Sequence, residues 1–144
     1  MGSLLLPVLA IVSGFAITLQ GQFMGLLDRA LGTKESVFIT YAGGGALATL
    51  LVLIVGLSSL RPTTGLPWYA YTSGLLGLII VGSIGFVVPR LGAAKGFTLI
   101  LASQFLLAAL IDHFGWFGAV ERPITLSRAA GLATVLAGVW LVVR

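Results

Sequence analysis

Charged residues divide this chain into long apolar stretches. No Asp, Glu, Lys or Arg falls within 1–27, 36–60, 62–89, 96–111 or 129–143. A helix rising about 1.5 Å per residue needs about 20 apolar residues to cross a hydrocarbon core about 30 Å thick. The first three runs are long enough outright. The last two become so once Lys95, Arg128 and Arg144 extend toward the head groups. No run alternates with period two, as a barrel strand would, and backbone in lipid must satisfy its own hydrogen bonds. The pattern predicts an all-α polytopic membrane protein. It is a single transmembrane domain over 1–144, with about five spans near 4–27, 36–57, 68–88, 92–114 and 126–143.

Local signals set the expected boundaries. Pro7 is tolerated in the first turn of the first helix, and Gly32 suits a helix end after Asp28 and Arg29. Thr33-Lys34-Glu35-Ser36 reads as the polar turn and N-cap of the second helix. Ser58, Ser59, Arg61 and Pro62 read as its end, followed by loop chemistry to Pro67. Trp68, Tyr69 and Tyr71 form an aromatic belt at the start of the third helix, which is expected to reach Val88 before Pro89-Arg90. Gly74, Gly77, Gly82 and Gly85 in that helix permit close helix approach or bending. Gly115 is placed to stop the fourth helix. Trp140 and Arg144 anchor the end of the fifth.

Composition sharpens this picture. Charged residues make up 8% of the 144 positions and mean hydropathy is +1.14, against about 25% charged in soluble domains. Five crossings leave only short connections. The absence of cysteine removes disulfides and thiol chemistry, and one histidine with four acids leaves little for a catalytic or metal-binding constellation. No metal, no cofactor and no nucleic-acid partner is expected, because the basic residues stand singly between apolar runs. The N-terminus has no Lys or Arg before its apolar stretch, so no cleaved signal peptide is expected. The expected partners are the lipid bilayer and a small-molecule substrate.

An odd number of spans puts the termini on opposite faces. One face then receives Arg29, Lys34, Arg90, Lys95 and Arg144, and the other Arg61, Arg122 and Arg128. Positive charge favours the cytoplasmic side, so the balance leans toward N-terminus out and C-terminus in. A bias this small is compatible with one fixed orientation and with insertion both ways.

Polar side chains within the spans are the candidate functional groups, because they are costly in lipid and turn toward cavities or other helices. Ser13 and Gln20 lie seven apart on one face of the first helix. Gln22 lies about 200° from Gln20 at 100° per residue, so the two cannot enter one cavity, and Gln20 is the deeper. Tyr41 and Gly43-Gly44-Gly45 sit in the first half of the second helix, and Ser103 and Gln104 near the middle of the fourth. Gln20, Tyr41, Ser103, Gln104 and Ser13 are the candidate substrate-binding residues. The competing reading is that the glutamines only bond neighbouring helices, for about 1 kcal/mol. Asp112 and His113 lie near the far interface of the fourth helix, roughly 27 Å from its start at 1.5 Å per residue. A structural lock there, with Asp112 bonded to local backbone, His113 or Arg122, competes with an ion-coupling site. Asp28-Arg29 reads as an interfacial charge pair. Gly131 and Gly138, seven apart on the fifth helix, are candidates for dimer packing or for packing within the monomer.

Several segments resemble a known family. They are Pro67-Trp68-Tyr69, Val88-Pro89-Arg90-Leu91-Gly92-Ala93-Ala94, Ser103-Gln104-Phe105-Leu106-Leu107-Ala108, and Leu110-Ile111-Asp112-His113-Phe114-Gly115-Trp116-Phe117-Gly118, with Arg122-Pro123 before the last helix. Together they resemble the YdcZ-like family, a small branch of the drug/metabolite transporter superfamily. The resemblance implies a half-size transporter of the bacterial-type inner membrane. Larger members join two five-helix halves of inverted topology, so a lone half is expected to find a partner. That partner is either a second copy, in an antiparallel ten-helix homodimer, or a paralogue in a heterodimer. Small multidrug-resistance relatives carry a Glu in the first helix, whereas this chain has no acid before Asp28. A neutral, zwitterionic or anionic metabolite therefore fits better than a cationic drug exchanged for protons. Alternating access by a secondary transporter is the expected mechanism. A small dimeric channel and a non-transporting assembly subunit are the alternatives, and enzymatic activity is not expected.

Overall fold

The computed structural model describes residues 2–56 and 67–144. Its architecture follows from the apolar runs: α1 (Gly2–Leu31), α2 (Thr33–Val55), α3 (Ser73–Leu91), α4 (Ala93–Phe114) and α5 (Leu126–Val143). A 3₁₀ turn, Trp68–Thr72, leads into α3, and a second, Trp116–Gly118, follows α4. Five helices are long and apolar enough to cross a membrane, and no strand occurs among the described residues. The proposed end of the second span at Ser58–Pro62 lies outside the described residues.

Glycine makes the sharpest junctions. Gly32 (φ 107°) alone separates α1 from α2, and Gly92 (φ 82°) alone separates α3 from α4. These backbone angles are open to glycine and strained for other residues. The first junction corrects the expected N-cap. α2 begins at Thr33, directly after Gly32, so Ser36 lies inside the helix rather than ahead of it. α1 also runs four residues past Leu27, to Leu31. α3 does not stop at Val88 but carries Pro89 in its last turn and ends at Leu91. The belt residues stand outward, with Trp68 78% and Tyr71 71% exposed. At the other end of the sequence, the Thr125 hydroxyl caps α5 by accepting from the Arg128 N–H.

The chain divides into two compact units, Met1–Arg90 and Leu91–Arg144. In the first, α1, α2 and α3 meet around a small dry knot. Ser36, fully buried, donates its hydroxyl to the Met24 carbonyl at 3.0 Å. Met24, Ile84 and Val88 are buried beside it. A Cβ at Gly85 would lie 2.9 Å from Met24 Cε, and one at Gly25 would lie 3.8 Å from the Pro89 ring. Small residues thus let the helices approach where they converge. Asp28 closes the knot at the interface. It accepts from the Thr33 hydroxyl and pairs with Arg90 at 3.3 Å, while the Arg90 guanidinium also lies over the Phe86 ring. The expected pairing of Asp28 with its neighbour Arg29 is therefore corrected: the partner is 62 positions away, on α3.

In the second unit, α4 and α5 pack along each other. Lys95 at the start of α4 donates to the Val143 carbonyl at the end of α5, at 3.1 Å. Arg144 lies over the Trp140 ring, as expected of an interfacial anchor. The other end is closed by the segment after α4, described below.

Candidate functional site

The first unit holds a concavity of about 390 Å³ between its three helices. Gln20 of α1 and Val81 of α3 face it. α2 contributes Thr40, Tyr41, Gly44, Gly45 and Ala48. Positions 40, 41, 44, 45 and 48 follow helical spacing, so they form one face of α2.

Depth can be worked from the helix ends. α1 ends at Leu31 and α2 begins at Thr33, and the Asp28–Arg90 pair brings the end of α3 to the same side. Counting inward at 1.5 Å per residue, Gln20 lies about 16 Å, Tyr41 about 12 Å and Val81 about 15 Å from that side. On α2 the lining runs from Thr40, about 10 Å in, to Ala48, about 22 Å in. The lining thus spans the middle part of a core about 30 Å thick.

The lining has little charge and several hydrogen-bonding groups. No Asp, Glu, Lys, Arg or His contributes to it. Among the described residues the Gln20 amide has no hydrogen-bond partner, and the side chain stands exposed. The Tyr41 hydroxyl passes close to Gly77, where a Cβ would lie 2.6 Å from Oη. Thr40 turns its hydroxyl back onto the Ser36 carbonyl at 2.9 Å, leaving a lone pair free. At Gly44 and Gly45 a Cβ would meet nothing within 4 Å. Glycine here leaves the α2 wall of the concavity bare.

The remaining sequence candidates lie elsewhere. Ser13 bonds the Leu9 carbonyl of its own helix at 2.9 Å and does not line the concavity. Ser103 does the same with Ile100 at 2.8 Å. Ser103 and Gln104 are exposed on α4, in the second unit. Thr40 and Ala48 were not singled out by sequence, although their spacing from Tyr41 marks them.

Asp112 and His113 belong to the last turn of α4. The Arg122 N–H donates to the Asp112 carbonyl at 2.7 Å, and the Ile124 N–H donates to His113 Nδ1 at 3.2 Å. Gly115 (φ 63°) ends α4 in the left-handed conformation, and Phe114 stacks on Trp116 at 5.1 Å. The link between Asp112 and Arg122 thus runs through backbone, not through an ion pair. His113 acts here as an acceptor that fixes the linker. At both Gly131 and Gly138 a Cβ would meet nothing within 4 Å, so neither is a point of close approach between α4 and α5 within the second unit.

These features describe a multi-pass α-helical membrane protein with a largely apolar concavity that carries a few hydrogen-bonding side chains. A family model described as "Putative inner membrane exporter, YdcZ" matches residues 5–141, and the chain belongs to that family. It is an inner-membrane protein of a transporter family rather than an enzyme family. In the same comparisons no curated protein and no solved structure matches the chain.

Proposed function

We propose that this protein exports a small uncharged or zwitterionic metabolite by alternating access, with the α1–α3 concavity as its substrate site. The observation that carries this reading is the convergence of Gln20, Thr40 and Tyr41 in the middle part of the membrane around an open, glycine-floored space. Transporters bind their cargo at that depth, where a site can be opened to either side in turn. A Gln amide and a Tyr hydroxyl each donate and accept, so they suit a carbonyl, hydroxyl or amide on the cargo. With no charged group in the lining, a strongly cationic cargo would find only aromatic attraction at Tyr41.

The working unit in this proposal is a pair of five-helix halves, antiparallel in a homodimer or matched with an oppositely oriented paralogue. The near-equal distribution of Lys and Arg between the two faces supports it, since neither orientation is strongly preferred. Gly138 then serves contacts between halves.

The test uses the cysteine-free sequence. Ala48→Cys is treated with a membrane-impermeant thiol reagent in sealed vesicles, with and without Gly44→Leu. A water-filled site gives rapid labelling, and Leu at position 44 suppresses it at least tenfold while expression and thermal stability stay unchanged. In proteoliposomes the same substitution abolishes counterflow of uncharged metabolites. Ala48→Cys reacting as slowly as Leu51→Cys, an exposed apolar position of α2, would place the concavity in lipid and refute the site. A single cysteine at Thr64, in the loop outside the described residues, reports orientation. About half the protein labels from outside if the chain inserts both ways, and labelling from one side alone refutes the homodimer.

A further inference from the structure

The second unit carries a site of different chemistry. A groove of about 320 Å³ runs between α4 and α5, and Asp112 and Arg128 both line it. Asp112 is the third residue from the end of α4 and Arg128 the third residue of α5. The two charges thus stand together at one membrane interface. They do not neutralise each other: among the described residues the Asp28–Arg90 pair is the sole ion pair within 4.0 Å. Among the described residues the Asp112 carboxylate meets no donor. An acid and a base face one concavity: the Arg128 guanidinium spends one N–H on the Arg122 carbonyl and keeps its remaining donors, and the Asp112 carboxylate is paired with no cation among the described residues.

One residue ties the two helix ends together. The Arg122 N–H donates to the Asp112 backbone carbonyl at 2.7 Å, and the Arg122 carbonyl accepts from Arg128 Nη1 at 3.2 Å. The backbone of Arg122 therefore links the end of α4 to the Arg128 guanidinium at the start of α5. His113 Nδ1, accepting from the Ile124 N–H, steadies the same segment. A preorganised pair of opposite charges is a receptor for a ligand that carries both signs.

Away from this mouth the groove is apolar. Phe105 on α4 and Val135 on α5 lie seven residues deeper, about 10 Å into the membrane, with Leu132 between. Gly131 leaves the wall bare, and a Cβ there would meet nothing within 4 Å. The gradient from charged to apolar runs along the membrane normal, as it does in a phospholipid of that leaflet. A soluble zwitterion would fill the mouth and leave the apolar floor uncovered.

We infer that this groove binds a zwitterionic phospholipid with a primary ammonium headgroup, of the phosphatidylethanolamine type. The ammonium donates to Asp112, the phosphodiester accepts from Arg128, and one acyl chain lies along Phe105, Leu132 and Val135. An anionic phosphatidylglycerol satisfies Arg128 but sets its phosphate near the Asp112 carboxylate without a cation between them. A phosphatidylcholine keeps both charges, but its quaternary ammonium has no N–H to donate. The inference does not depend on the substrate site of the first unit.

Native mass spectrometry of the purified protein, titrated with each of the three lipids, tests it. Phosphatidylethanolamine is expected to bind about tenfold more tightly than either other lipid, the scale of one charge-assisted hydrogen bond. Asp112→Asn removes that preference and raises phosphatidylglycerol binding, whereas Arg128→Gln weakens phosphatidylethanolamine and phosphatidylglycerol alike. If Arg128→Gln does not fold, Arg128→Lys serves, keeping the charge but losing the fork, and it lowers affinity for both without changing their order. Gln20→Ala, in the other unit, leaves the preference intact. Equal binding of phosphatidylethanolamine and phosphatidylglycerol to the wild type, or a preference untouched by Asp112→Asn, overturns the inference. So does displacement of the lipid by soluble glycerophosphoethanolamine at equimolar concentration, which would make the groove a receptor for a free zwitterion.

Discussion

Ser36 offers the most direct test of how the first unit is held together. Its side chain is fully buried, and its hydroxyl donates to the Met24 carbonyl across the α1–α2 junction at 3.0 Å. Ser36→Ala removes that bond without making a new contact. Interhelical hydrogen bonds in membrane proteins are worth about 0.6 kcal/mol on average and up to about 1.7. The Met24 carbonyl still accepts the helical N–H four residues on, so no polar group is orphaned and the loss should stay near 0.5–1 kcal/mol. Ser36→Leu does more. The Gly85 Cβ position lies only 4.0 Å from Ser36 Oγ, and Met24 already fills the gap with 1% of its surface exposed. Overpacking of such a site costs about 1–3 kcal/mol, to which the lost bond adds, giving roughly 2–4 kcal/mol. Unfolding by sodium dodecyl sulfate from mild-detergent micelles, followed by tryptophan emission, ranks the two variants. Phe38→Leu, at a 72% exposed position two residues on, serves as the neutral control. A Ser36→Leu midpoint equal to that of Ser36→Ala would show that there is no tight convergence of α1, α2 and α3 at this point.

Three further outcomes follow from particular contacts. Gly77→Ala puts a Cβ where the Tyr41 hydroxyl now lies, at 2.6 Å; the variant loses stability in the same titration, and Tyr41→Phe recovers about 0.5 kcal/mol or more of it, whereas strictly additive effects would contradict the contact. Gly115→Ala forces a side chain into a left-handed backbone (φ 63°) and within 2.7 Å of Glu121 Cγ. A loss of about 1–2 kcal/mol is expected, and Glu121→Ala relieves only the steric part, so full rescue would contradict the backbone argument. Arg90→Ala leaves the Asp28 carboxylate, 8% exposed, without its cation. The cost is on the order of 1 kcal/mol after discounting the half-exposed guanidinium, and Asp28→Asn added to Arg90→Ala restores part of it; no recovery would mean that the pair contributes nothing to the knot.

The spans were legible in the sequence because lipid imposes a single rule on every one of them, an apolar run of sufficient length, and charge spacing reports that rule directly. The errors occur where glycine or proline behaves in a tertiary rather than a local way. Ser36 stands in good N-cap context, yet Gly32 turns the chain so tightly that α2 begins at Thr33 and the serine is carried inward to Met24. Pro89 looked like a stop, but the last turn of α3 tolerates it, and its ring rests against Gly25 of α1. Asp28 and Arg90 share no local pattern across 62 positions, so adjacency favoured Arg29, and only the folded helices reveal the partner.

The two candidate sites differ in what made them visible. Gln20 and Tyr41 stood out singly as polar side chains in apolar helices, while the glycine face beside Tyr41 follows from spacing alone. What sequence could not supply was their common depth, which depends on Gly32 returning α2 along α1 and on Asp28 tying α3 to the same interface. The groove of the second unit was hidden for another reason. Asp112 invites comparison with the nearby Arg122, but among the described residues no ion pair joins their side chains, and a backbone hydrogen bond stands in its place. That substitution of backbone for side chain leaves the carboxylate unspent. Arg122 gives its N–H to the Asp112 carbonyl and its own carbonyl to the Arg128 guanidinium, so one backbone residue ties the end of α4 to the start of α5. A lock and a binding site are then not alternatives at this turn: the locked backbone presents the two charges.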